Sequence, residues 1–144
     1  MKTLYTTSLL LLMGLTTFSY GQETCDSIVK TCEKALTTNT NGSLFVSDGQ
    51  VYKAFINDEV AEFKTTFFGG STYRISASAG EDDNYVIFTI YDPENRVLFS
   101  NKDYKNAPYW DFKVNQTIPV RIETQLDMEK KVSGCAVMLI GFKK

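Results

Sequence analysis

From Leu44 onward the chain repeats one device: short runs of Val, Ile, Phe, Tyr and Thr, roughly ten residues apart, separated by turn chemistry. No helical segment intervenes between these runs, which removes the crossovers that a parallel sheet requires. Eight or nine strands after a single helix therefore predict a mainly β fold, an antiparallel β-sandwich of jelly-roll-like plan. A closed barrel is the second choice.

The runs carry their own register information. Leu44–Val46 and Val51–Ile56 flank Ser47-Asp48-Gly49-Gln50, whose Asp-Gly step predicts a tight hairpin turn. Val60–Phe68 alternates, with Ala61, Phe63, Thr65 and Phe67 on one face and Glu62, Lys64 and Thr66 on the other. Gly69-Gly70 predicts a hairpin into Thr72–Ala79, where Tyr73, Ile75 and Ala77 oppose Arg74 and Ser76. Tyr85–Tyr91 is apolar on both faces, which places it in the middle of a sheet. Asp92-Pro93-Glu94-Asn95 suits a type I turn leading into Arg96–Ser100. Asn101–Pro108 is the longest loop and precedes the aromatic strand Tyr109–Phe112. In Thr117–Gln125, Ile118, Val120 and Ile122 point inward, and Pro119 marks an edge or a strand's beginning. Ser133–Lys143 forms the last strand, with Ala136–Ile140 too apolar for exposure.

Ahead of these strands, Glu23–Leu36 has Cys25, Ile28, Val29, Cys32 and Leu36 at helical spacing on one face. A helix would hold Cys25 and Cys32 two turns apart, about 10 Å along the axis. A disulfide tolerates less than about 7 Å between Cα atoms. The expected bridge therefore joins Cys135 to one of them, Cys32 being favoured and Cys25 the alternative. The helix is expected to pack across an open end or edge of the sandwich.

The first residues read as a secretory leader: Lys2, the apolar run Leu9–Leu15, and a small-residue exit at Ser19-Tyr20-Gly21. The expected organisation is a leader at 1–21, helix and linker at 22–42, and the sandwich at 43–144. Secretion, or a periplasmic location, follows, with oxidised thiols and no membrane insertion after leader removal.

Histidine is absent from the chain, which excludes Ser-His-Asp and Cys-His catalysis and histidine-ligated zinc or copper. A formal net charge of −2 without cationic clusters argues against nucleic acid.

Tyr73-Arg74-Ile75, Val86–Asp92-Pro93 and Val97-Leu98-Phe99 together resemble the middle hairpins of bacterial pre-peptidase C-terminal-type and related jelly-roll domains. The resemblance covers about thirty residues and rests mostly on turn chemistry. It implies a secreted, non-catalytic accessory domain, some of whose relatives bind calcium or polysaccharide. The amino-terminal cysteine helix departs from that pattern.

Three constellations are candidates for chemistry. Glu81, Asp82 and Asp83 could offer hard oxygens to calcium, although a solvated turn explains them better. Tyr104, Tyr109 and Trp110, with Asp103 close by, are ligand-binding candidates that suit a sugar-stacking surface; Trp110 fits the core better than a ligand platform. Glu62 and Glu123 are mid-strand carboxylates, for which Lys64 and Arg121 on the same faces suggest ion pairing rather than glycoside hydrolysis. The sequence thus reads as a non-enzymatic interaction or structural domain without a cofactor, its partner a protein or a glycan. A carbohydrate- or calcium-binding accessory module is the alternative.

Overall fold

In the computed structural model, residues 25–80 and 84–144 are described. The leader at 1–21 and the acidic residues Glu81, Asp82 and Asp83 lie outside the described residues. One helix, α1 (Cys25–Thr37), precedes eight strands: β1 (Phe45–Ile56), β2 (Ala61–Phe67), β3 (Thr72–Ser78), β4 (Val86–Tyr91), β5 (Val97–Ser100), β6 (Tyr109–Lys113), β7 (Ile118–Leu126) and β8 (Gly134–Lys143).

The strands form two antiparallel four-stranded sheets, ordered β1-β8-β3-β6 and β2-β7-β4-β5. Within them β1 pairs with β8, β2 with β7, β3 with β6 and β4 with β5. The chain is thus one long nested hairpin, rolled so that successive pairs fall alternately in the two sheets. This is the jelly-roll plan, and its tip is the turn between β4 and β5.

That tip is where local chemistry is strongest. Asn95 adopts φ 61°, and Asn95 N donates to Asp92 O at 3.0 Å. The buried Asp92 carboxylate accepts from Glu94 N and Arg96 N at 2.9 Å each, and from Arg96 Nε at 2.7 Å. The backbone bond from Arg96, reinforced by its guanidinium and opposed by burial, holds the Asp92 carboxyl below its ordinary value of 3.8. A lowered folded pKa stabilises above the unfolded value, and the gain disappears as pH falls through the folded one. The stability advantage of the native chain over Asp92→Asn is accordingly expected to shrink on acidification below about pH 4. Urea titrations at stepped pH measure it; a pH-independent difference would contradict the assignment.

Two expected hairpins do not form. The Asp48-Gly49 step produces a wide bulge inside β1, with three residues between Ser47 and Val51 set against one, Ile140, between Gly141 and Leu139. Gly49 takes φ 86°, and Gln50 N bonds Asp48 Oδ1 at 2.9 Å, so the turn chemistry is satisfied within an edge strand. Gly69-Gly70 carries the chain from one sheet to the other. At Gly69 an added Cβ would meet Asn115 O at 2.9 Å, and Gly70 has φ 85°. Pro119 marks a strand's beginning, since β7 is central.

The inter-sheet core contains Ile75, Phe88, Ile90, Ile122, Met138 and Ile140. Val86, Phe88 and Ile90 of β4 enter it, while Ile87 is buried on the opposite face. β8 is likewise buried on both faces: Ala136, Met138 and Ile140 face β2-β7-β4-β5, while Cys135, Val137 and Leu139 pack with Ile28, Cys32 and Leu36. Helix α1 therefore covers the outer face of β1-β8-β3, rather than an end or edge. It runs alongside β8 in the same direction, from Cys25 over Cys135 to Leu36 over Gly141, where an added Cβ would meet Leu36 Cδ1 at 2.9 Å.

This direction decides the disulfide. Cys25 bridges Cys135, with the Cα atoms 5.6 Å apart. Cys32, favoured by the sequence for that role, sits two turns further on and donates its Sγ to Val137 O at 3.2 Å. The one-bridge expectation holds, and the partner is the alternative.

Candidate functional site

The four aromatic-loop candidates divide between two faces. Along β6, residues alternate: Trp110 pairs with Ile75 and Phe112 with Tyr73 on the core side, whereas Tyr109 and Asp111 lie opposite Ser76 and Arg74 on the helix side. Trp110 and Phe112 are partly buried against the core.

Tyr104 rejoins Trp110 through the loop. A 3-10 turn, Asn101–Tyr104, follows β5, capped by Ser100, whose side chain accepts from Lys102 N. Buried Asn101 anchors it: Oδ1 accepts from Phe88 N at 2.8 Å, and Nδ2 donates to Val86 O at 2.9 Å and Ala107 O at 3.1 Å. Lys105 and Asn106 both adopt left-handed backbone, φ 56° and 55°, the rarer choice for non-glycine residues. Asn106 Nδ2 in turn binds Asp127 Oδ2 at 2.8 Å.

This scaffold sets the Tyr104 ring 4.2 Å from Trp110 and stacks it 5.6 Å from Phe99, centroid to centroid. Phe99 also meets Trp110 at 5.1 Å and Phe112 at 4.9 Å. The cluster fills the margin where β5 and β6, the two edge strands on that side, face each other. Tyr104 remains 50% exposed, and Val97 and Leu98 of β5 are 59% and 50% exposed. Asp103 is exposed on the same turn. Phe99 is the member that motif reading missed; the strand alternation of Val97-Leu98-Phe99 is the signal that could have found it.

Tyr109 serves a different assembly. Arg74, with no exposed surface, lies between the Phe45 and Tyr109 rings, 4.1 and 4.5 Å from their centroids. Its Nε and Nη2 grip the two Asp111 oxygens at 2.6 and 2.9 Å. Its Nη1 reaches the carbonyls of Leu36 at 3.2 Å and Thr38 at 2.6 Å, and Nη2 reaches Thr40 Oγ1 at 3.2 Å. One guanidinium thus satisfies carbonyls left open at the end of α1 and neutralises a strand carboxylate. The arrangement fastens the helix to the sheet, and Tyr109 is part of that fastening.

Glu62 and Glu123 are direct cross-strand neighbours, as are Lys64 and Arg121. Arg121 contacts both glutamates, Lys64 pairs with Glu62 at 3.4 Å, and the Arg121 guanidinium lies 4.3 Å over the Tyr91 ring. Burial first, then the Glu123 charge, pushes the Tyr91 phenol above its usual value. A depression of about 500 Å³ alongside is lined by Lys64, Asp92, Asn95 and Arg121 but by neither glutamate. This is an ion-paired sheet surface, as the sequence suggested. Among the described residues no group of three His, Cys, Asp or Glu could hold a metal ion.

The Cys25–Cys135 bridge fits an oxidising location outside the cytoplasm. No helix among the described residues is long and apolar enough to cross a membrane. Neither a protein-family model nor a curated protein matches the chain. Among solved structures it is similar to PliG of Aeromonas hydrophila, a periplasmic lysozyme inhibitor of g-type lysozyme; that likeness spans 73% of this chain and 91% of that one, at 10% identity and a TM-score of 0.49.

Proposed function

We propose that the chain is an exported, non-enzymatic binding domain that engages a protein partner through the β5–β6 margin. The observation that carries this reading is the exposure of Val97, Leu98 and Tyr104 on one margin, with the Tyr104 ring packed on Phe99 and Trp110. Apolar side chains on an edge strand are what soluble sandwiches ordinarily avoid. Rigid aromatic anchors of this kind dominate the binding energy of many protein interfaces. A glycan ligand is the second reading, favoured by the half-exposed Tyr104 ring beside Asp103.

A photo-crosslinker placed at Leu98 in the exporting cell is expected to capture one discrete protein, and one at Lys64, on the ion-paired surface, is not. Binding of that purified protein, with g-type lysozyme run alongside as a further probe, should weaken by about tenfold or more in Tyr104→Ala. Equal labelling from both positions would overturn the proposal. So would glycan-array binding that Tyr104→Ala abolishes, which would install the second reading.

A further inference from the structure

At the end where β2 passes to β3, the sandwich is not closed by its own packing. Phe68 and Phe142 stand there 61% and 41% exposed. Between the sheets a cavity of about 420 Å³ opens, with Phe67, Tyr73 and Ile140 deeper inside and Asp48 and Gln50 of the β1 bulge lining it too. It shares no residue with the Phe99–Tyr104–Trp110 margin.

Both walls are held by turn hydrogen bonds. On one side Phe68 N donates to the Tyr73 hydroxyl at 3.0 Å, Gly69 N to Thr117 Oγ1 at 3.0 Å and Gly70 N to Val114 O at 2.8 Å. On the other, Gly49 N donates to Ser47 Oγ at 3.0 Å, and Tyr52 donates its hydroxyl to Gln50 Oε1 at 3.1 Å. Little ordering remains to be done when a ligand arrives, which favours binding.

We propose that this mouth binds a cationic organic group, an alkylammonium or guanidinium on an apolar stem. The size lies within the range of small-ligand pockets, and four aromatic rings, Phe67, Phe68, Tyr73 and Phe142, belong to the lining. Aromatic faces attract cations through their negative quadrupole. Asp48 is the one charged residue of the lining, which contains no lysine or arginine. Its Oδ1 accepts from Gln50 N at 2.9 Å, which orients the carboxylate and leaves Oδ2 for a ligand. An anion would meet that carboxylate, and a neutral apolar guest would gain nothing from it. A cation on an apolar stem satisfies the rings and the carboxylate together.

The test is amide-resolved NMR titration of the exported protein with n-butylammonium, with n-butanol, and with an arginine-containing tripeptide beside its citrulline analogue. Saturable shifts at Gly49, Phe68 and Phe142 with the cations are expected, weakened about tenfold in Asp48→Asn. The tighter of the two cationic probes tells a free amine from a partner's side chain as the source. Because Asp48 lies in an exposed bulge, Asp48→Asn should keep the native spectrum elsewhere; Phe142→Leu supplies a second variant that removes a ring and should also weaken the cations. Equal binding of n-butanol, equal binding by the citrulline peptide, or no saturable shift overturns the proposal.

Discussion

Arg74→Ala is expected to lower the unfolding free energy by about 2–4 kcal/mol, because it empties a buried site and removes the donor to the carbonyls at the end of α1. The substitution removes the partner of the Asp111 carboxylate, which stays in contact with solvent. It also leaves the carbonyls of Leu36 and Thr38 without their donor and opens a gap between the Phe45 and Tyr109 rings. Arg74→Lys should recover little, because an ammonium cannot reach two carboxylate oxygens and the helix end in one plane. The double variant Arg74→Ala with Asp111→Ala should lose less than the sum of the single losses, since the two groups act as a unit. Urea denaturation of the native chain and the four variants, Asp111→Ala among them, measures all of this. A loss under about 1 kcal/mol in Arg74→Ala would mean that water replaces the guanidinium, and the fastening would then be incidental.

Removing the Cys25–Cys135 bridge by Cys25→Ala is expected to cost about 4–5 kcal/mol in the chain-entropy model, because the bridge spans 110 residues of sequence. The bridge also ties the start of α1 to the start of β8. Its loss should release the first turn of the helix while Arg74 still holds the last, so amide exchange should quicken from Cys25 toward Ile28 before it does at Leu36. Cys32→Ala leaves the covalent link intact and should produce a smaller loss. Thiol counting after unfolding without reductant should find one reactive thiol per chain, at Cys32. Two or three thiols in protein purified from an oxidising compartment would refute the bridge. With both fastenings gone, α1 is expected to detach and expose Val137 and Leu139, which makes the double variant aggregation-prone.

Much of the architecture was legible because its causes are local. Alternation in Ala61–Phe67 and the double-sided apolar character of Val86–Tyr91 place side chains on faces through the two-residue period of a strand. Asp92-Pro93-Glu94-Asn95 encodes its own turn. Ile28, Cys32 and Leu36 encode the buried face of α1. The expected hairpins at Asp48-Gly49 and Gly69-Gly70 failed for the opposite reason. In a nested chain only the innermost pair, β4 with β5, is joined by a tight turn; every other pair is brought together from far apart. A glycine-rich step can then serve as a bulge or as a passage between sheets with the same backbone angles.

The candidate margin shows the same division. Trp110 and Tyr104 lie six residues apart and meet because Asn101 pins the Asn101–Tyr104 turn to β4 and holds Ala107 of the following segment. Tyr109, adjacent to Trp110, faces the other way through simple strand alternation. Arg74 looked like any outward-facing strand residue in sequence, and only the helix laid over it turned it into a buried fastening.

The residues alone therefore determined that this chain forms antiparallel strands behind one amphipathic helix, where those strands lie, and that one sulfur bridge reaches β8. These follow from periodicity, turn chemistry and bond geometry, which act over a few residues. Which strands pair, which cysteine closes the bridge, and which aromatics share a surface were decided by the roll of the nested hairpin and the direction of α1 along β8. Those depend on burying both faces of β8 at once, a condition that no segment can satisfy by itself.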